Sequence, residues 1–336
     1  MLQAATRKTS DRFTRGGDAW YNSIMLFMTT LITVAIMLAY AIPGFIFVKT
    51  KAIKPDSIGA FARILLFVCQ PALILYSLNA ADFSAEFIRQ MGIFFGLCTG
   101  MQILVMVSLT LILKSRFDDV RNRICTIASS LANVGFFGVP LIEAVLPGHL
   151  EAIAFSTVFS VSLNLLSWTL AVGIITWDRK KINVRNMIVN PTTVSLLVAL
   201  PLFFTSTKLP SVIAPIIELL GRMTTPMCML ILGMRLATVT PKDLFLNPRV
   251  YISTALKNIL YPLLSFLIIY FIPLPTYIKV TFFLLGCCPS ASMVLNMSEL
   301  VGEGQTHAAC SVLISTLSCI VTVPLLALMI PLLGAV

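Results

Sequence analysis

Residues 133–140 read Asn133-Val134-Gly135-Phe136-Phe137-Gly138-Val139-Pro140 and interrupt an otherwise apolar run from about Ile124 to Leu146. A segment in hydrocarbon must satisfy every backbone N–H and C=O internally. Proline lacks an N–H and its ring collides with the carbonyl four residues back, so this proline with its two glycines predicts a break in the helical ladder. Such breaks survive where they line a cavity. In transporters the ends of broken half-helices offer backbone groups and dipole charge to substrate or ions near the bilayer midplane.

The rest of the chain supplies the setting. Apolar residues make up 58% of 336 residues and charged ones 11%, against roughly half and a quarter in soluble domains. This is the composition of an all-α, polytopic membrane protein whose first partner is the lipid bilayer. The net charge of +10 does not point to nucleic acid, because the basic residues fall in short inter-helix loops and no recognition motif accompanies them. The eight cysteines (69, 98, 125, 228, 287, 288, 310 and 319) lie in or at the edges of apolar runs without a C-x-x-C pair. They read as free packing residues, not as a zinc or disulfide framework. His149 and His307 begin or flank helices outside the core with no partner spaced for ligation, so no metal site and no cofactor is expected. Residues 1–22 form a polar tail with Arg7, Lys8, Arg12 and Arg15 and without the apolar core and A-x-A site of a cleavable signal peptide.

A spanning helix needs roughly 20 apolar residues, and ten runs qualify: 24–48, 58–79, 88–113, 122–146, 152–177, 190–206, 211–235, 250–272, 276–300 and 306–334. The loops after runs 1, 3, 5 and 7 hold Lys49, Lys51, Lys54; Lys114, Arg116, Arg121, Arg123; Arg179, Lys180, Lys181, Arg185; and Arg235, Lys242, Arg249. The other side holds Arg89, Lys208, Lys279 and the four basic residues of the tail. The excess puts the first set in the cytoplasm and both termini on the non-cytoplasmic side.

The unusual prolines repeat. Gln70-Pro71-Ala72-Leu73-Ile74-Leu75 in run 2 matches Thr225-Pro226-Met227-Cys228-Met229-Leu230 in run 7, and two runs later come Pro140 and Pro289. Two five-helix halves, 23–178 and 186–336, then have opposite orientation by parity, the plan of inverted-repeat transporters with broken helices 4 and 9 crossing at the interface. Run 9 reads Gly286-Cys287-Cys288-Pro289-Ser290-Ala291-Ser292-Met293-Val294-Leu295-Asn296, small residues around a proline as in run 4. Ser290, Ser292 and Asn296 can bond the freed backbone or a ligand, or simply pack helices.

Asn133 with Gly138-Val139-Pro140-Leu141, Pro289 with Asn296-Met297-Ser298-Glu299-Leu300, and Ile314-Ser315-Thr316-Leu317-Ser318 with Val323-Pro324-Leu325 resemble the auxin efflux carrier family, which includes plant carriers and bacterial organic-acid permeases. The resemblance covers runs 1 to 10. It implies a ten-helix inverted repeat, similar to sodium–proton antiporters and bile-acid symporters, divided into scaffold and transport subdomains drawn from both repeats. It also implies an organic-anion substrate beside the crossover. Asn133, Gly135, Gly138, Pro140, Pro289, Ser290, Ser292 and Asn296 are the candidate substrate-binding positions. The connection after run 5, about Asp178 to Val189, is short, which implies the microbial type of member rather than an auxin carrier.

The ionisable residues inside runs are Arg63, Glu143, Glu218, Arg222, Lys257 and Glu299. Arg222 and Glu218 share a helix face four residues apart, so Arg222 is read either as half of an intrahelical pair or as the positive charge for an anion. Glu143, one turn past Pro140, is a candidate coupling carboxylate. Lys257 is expected to snorkel to the cytoplasmic side, and Arg63 and Glu299 read as interface charges. An intramembrane enzyme is excluded by the absence of H-E-x-x-H and G-x-S-x-G motifs and of a histidine base inside a run. Ser315 and Ser318 read as packing groups. A sensor or channel on a transporter fold is the alternative function. Coupling to Na+ or H+ and a homodimer are left open.

Overall fold

In the computed structural model, residues 19–80, 84–177, 191–205 and 207–334 are described. They are predominantly helical, and several interruptions of the ladder fall beside prolines. The chain opens with α1 (Ala19–Ala39) and α2 (Ala41–Lys49), then α3 (Ile58–Ile64) and α4 (Gln70–Ala80), then the long α5 (Ala85–Leu113). Next come α6 (Val120–Ser130), α7 (Val139–Val145), α8 (Leu150–Leu166), α9 (Val172–Thr176) and α10 (Pro191–Phe204). The remainder is α11 (Ala214–Arg222), α12 (Thr224–Thr238), α13 (Pro241–Phe245), α14 (Pro248–Ala255), α15 (Tyr261–Tyr270), α16 (Thr276–Gly286), α17 (Met293–Val301) and α18 (Gln305–Ala327).

Among the described residues seven helical stretches are long and apolar enough to cross a membrane, while 134–145 and 276–286 are shorter apolar helices. The difference from ten runs has a physical cause. Runs 4 and 9 are broken into halves, and run 6 keeps 14 residues of helix next to undescribed ones. The tail 1–18 and the basic cluster Arg179, Lys180, Lys181 and Arg185 lie outside the described residues.

Among the described residues wide π-type turns occupy 65–69, 134–138, 167–171 and 256–260, and all but the one at 167–171 end two residues before a proline: Pro71, Pro140 and Pro262. Widening the turn carries the ladder past the missing N–H and makes room for the ring. A proline inside these runs therefore deforms the helix locally without ending it.

Large apolar side chains face outward, Leu111 at 68% and Ile112 at 71% exposed, while hydroxyls and amides are buried. Inside, Gln102 Nε2 donates to Ser162 Oγ at 2.9 Å, Ser77 and Thr157 hydroxyls meet at 2.8 Å, and Asn258 Nδ2 donates to the Ser315 carbonyl at 2.7 Å. Polar contacts between helices and small residues at the closest approaches are how helices associate in lipid, which is as apolar as leucine. At α2 and α12 a Cβ on Gly44 would meet the Leu230 backbone and one on Gly233 the Ala41 backbone, so these two helices touch main chain to main chain. All eight cysteines are free and buried.

Two expectations are corrected. Lys257 does not snorkel: it is fully buried, its Nζ donating to the Gly286 carbonyl at 2.9 Å and lying 4.1 Å from the Tyr261 ring centre. The end of α16 leaves carbonyls without helical partners, and the ammonium takes one of them. His307 begins α18 as expected but is buried, with Nδ1 3.1 Å from Asn247 Nδ2, because the preceding Gly304 adopts φ +73° and turns the helix start inward.

Candidate functional site

The first break lies earlier than the glycines imply. α6 ends at Ser130, Leu131 is extended (φ −93°, ψ 118°), and Asn133 precedes the π-type turn containing Gly135 and Gly138. The second occupies residues 287–292, around Pro289. The two breaks cross as a short antiparallel bridge between Ala132 and Ser290. Asn133 N–H donates to the Pro289 carbonyl at 2.8 Å and Ala291 N–H to the Leu131 carbonyl at 2.8 Å. Each break thus satisfies the backbone that the other frees, and this distant pairing explains why the break falls at 131–133.

Side chains finish the joint. Ser290 Oγ donates to the Ala128 carbonyl at 2.8 Å, and Ser290 N–H donates to Ser315 Oγ at 2.9 Å. Pro140 has no N–H for the Phe136 carbonyl, and Thr225 Oγ1 donates to it instead at 3.0 Å. A Cβ on Gly138 would sit 2.5 Å from Leu285 Cδ2 and 3.3 Å from Cys288 Sγ, so glycine permits the crossing at that depth.

Beside the crossing is a cavity of about 440 Å³. Of the candidate positions Asn133, Gly135, Ser292 and Asn296 line it, whereas Gly138, Pro140, Pro289 and Ser290 build the joint behind it. The opposite wall holds Gln70, Ser160, Asn164 and Trp168. Gln70 Oε1 and Trp168 Nε1 are buried without a hydrogen-bond partner among the described residues. Sequence reasoning quoted Gln70 only as a neighbour of Pro71 and passed over Trp168; the usable signal was a polar atom inside an apolar run. No ionisable side chain lines this cavity among the described residues.

The ion pairs lie on either side of it. A separate cavity of about 250 Å³ is bordered by Tyr76, Pro140, Glu143, Arg222 and Thr225. There Arg222 donates to Glu218 Oε1 at 2.9 Å and to the Tyr76 hydroxyl at 3.0 Å, with Glu143 Oε1 at 3.6 Å. Arg222 and Glu143 therefore meet each other and do not reach the crossover cavity. Arg235, read only as a loop charge, borders a void of about 50 Å³ together with Asn133, Ser292 and Asn296.

The family model described as "Membrane transport protein" matches residues 26–327. The chain belongs to the auxin efflux carrier family. The match takes in both breaks, so this auxin efflux carrier family member is an integral, multi-pass membrane transporter, and its family is not an enzymatic one. A comparison with curated proteins gives no match.

Proposed function

We propose that this chain is a secondary transporter moving small organic anions, mono- or dicarboxylates, by alternating access at the crossover. Its ten spans form two inverted five-helix repeats whose broken fourth and ninth members cross, with both termini on the non-cytoplasmic side. The observation that carries the reading is the reciprocal pairing of Asn133 with Pro289 and of Ala291 with Leu131 at the edge of a 440 Å³ cavity.

The chemistry of the walls suits an anion. The half-helices beginning at Val134 and Met293 bring the positive ends of their dipoles to the crossing. The Asn133 and Asn296 amides and the Trp168 indole are N–H donors, and an indole can only donate. The absence of a carboxylate from this wall, among the described residues, removes the repulsion that an entering anion would meet.

The test is uptake of labelled carboxylates into proteoliposomes under imposed sodium, proton and potential gradients, with Asn133→Ala beside the wild type. Saturable uptake that is lost in folded Asn133→Ala supports the reading, and the gradient that drives it names the coupling. Wild-type uptake unchanged by the mutation removes Asn133 from the site. No movement of any acid by folded protein overturns the organic-anion assignment, and flux without saturation replaces the carrier with a channel.

A further inference from the structure

One charged group borders a void at the crossover that the neutral cavity does not itself contain. Arg235 lies in the last turn of α12, and Cys228, Ile231 and Arg235 border the void of about 50 Å³ from one face of that helix. Asn133, Phe136, Ser292 and Asn296 line both this void and the larger cavity, so the two adjoin at the crossing. Among the described residues Arg235 is the one basic side chain on either wall, and no carboxylate lines them.

Its counter-ion is loosely held. Arg235 Nη2 stands 3.5 Å from Glu299 Oε1, and the Glu299 side chain is 54% exposed. A charge-assisted N–H···O bond closes to about 2.7–2.9 Å, the distance reached by Arg222 with Glu218 at 2.9 Å. Arg222 is thus engaged by a close carboxylate and a phenol, whereas the guanidinium of Arg235 makes no side-chain hydrogen bond among the described residues. Glu299 follows Ser292 and Asn296 at helical spacing on α17, so its carboxylate sits on the face that leads from the crossing to Arg235.

We infer that Arg235 is a specificity-determining residue for the transported anion and that Glu299 is its built-in competitor. A substrate carboxylate entering the void displaces the Glu299 carboxylate and takes the guanidinium fork in two parallel N–H···O bonds, which a loose pair cannot match. An acid with a second carboxylate gains most, one group at the Asn133 and Asn296 amides and the other at Arg235. This rests on the organic-anion reading above.

The experiment is concentration-dependent uptake of succinate and butyrate, which differ by one carboxylate, in proteoliposomes of wild type, Arg235→Gln, Arg235→Lys and Glu299→Gln, each checked for folding by thermal denaturation. Arg235→Gln is expected to raise KM for succinate about 10- to 100-fold, the weight of hydrogen bonds to a charged group, with much less effect on butyrate and on kcat. Arg235→Lys recovers only part of this, since an ammonium lacks the fork. Glu299→Gln lowers the succinate KM about threefold or more by removing the competitor. If Arg235→Gln fails to fold, the exposed Glu299→Gln decides alone. Equal KM ratios for the two acids in wild type, Arg235→Gln and Glu299→Gln overturn this inference and leave the transporter reading standing. Folded wild-type protein that moves neither these two acids nor any other labelled carboxylate overturns both.

Discussion

Thr225→Val removes one hydroxyl and keeps the volume, which makes it a clean probe of how the Pro140 turn is satisfied. Thr225 is buried and its Oγ1 donates to the Phe136 carbonyl at 3.0 Å, the carbonyl that Pro140, four residues on, cannot serve. Leaving a buried acceptor without its donor costs about 1–3 kcal/mol. In a Pro140→Ala background the restored N–H reaches the Phe136 carbonyl by the ordinary helical bond, and the same Thr225→Val change should cost less than about 1 kcal/mol, the range of one net hydrogen bond. The four proteins form a double-mutant cycle with an expected coupling of about 1–2 kcal/mol. Reversible unfolding in mixed micelles, followed by far-UV circular dichroism, measures it. An equal cost of Thr225→Val in both backgrounds would refute the argument that the hydroxyl substitutes for the missing N–H of Pro140.

Other substitutions test the packing and the loop charges. Gly233→Ala should lower the thermal midpoint sharply, since its Cβ would overlap the Ala41 backbone and overpacking costs about 1–3 kcal/mol or more. Gly96→Ala, whose Cβ meets nothing within 4 Å in the middle of α5, should instead stabilise by about 0.5–1 kcal/mol; a similar response at both sites would contradict the close contact of α2 with α12. Asp119, in the loop before α6, has its carboxyl lowered to about 2 by the Arg121 hydrogen bonds, with Arg249 adding attraction. Its folded value lies below the unfolded one, so its contribution is present above about pH 4 and is lost as the pH falls toward about 2. Melting curves of wild type and Asp119→Asn should differ at pH 6 and draw together as the pH falls through about 2; a gap that does not narrow over that range would remove the ion pairs as its cause.

Much of the crossover was legible because membrane helices tolerate few exceptions. Glycines, prolines and an asparagine inside an apolar run mark backbone that needs outside partners, and runs 4 and 9 were identified that way. The position of the first break was not legible. Its partner, the Pro289 carbonyl, is remote in sequence, and the π-type turn that lets Pro140 continue the helix leaves no compositional trace. Lys257 was misread, and the place of Arg235 beside the crossing was missed, for a related reason. Long basic side chains near a run's end ordinarily reach for water, and only the tertiary structure shows that Lys257 turns toward the end of α16 and Arg235 toward the crossing. Gln70 and Trp168 became visible once their unpartnered polar atoms were found on one wall.

The main-chain contact between α2 and α12 also fixes a point of reference. Sliding α12 along its axis by one turn, about 5.4 Å, would bring Met229 or Ala237, which share the face of Gly233, into its place against Ala41. The two helices are keyed together at Gly44 and Gly233 and resist sliding past each other. The backbone of Arg235 lies two residues beyond that key on the same helix. A pair of spectroscopic labels on α2 and α17 would test whether the alternating access proposed above displaces α17, with α2 as the reference end of the ruler.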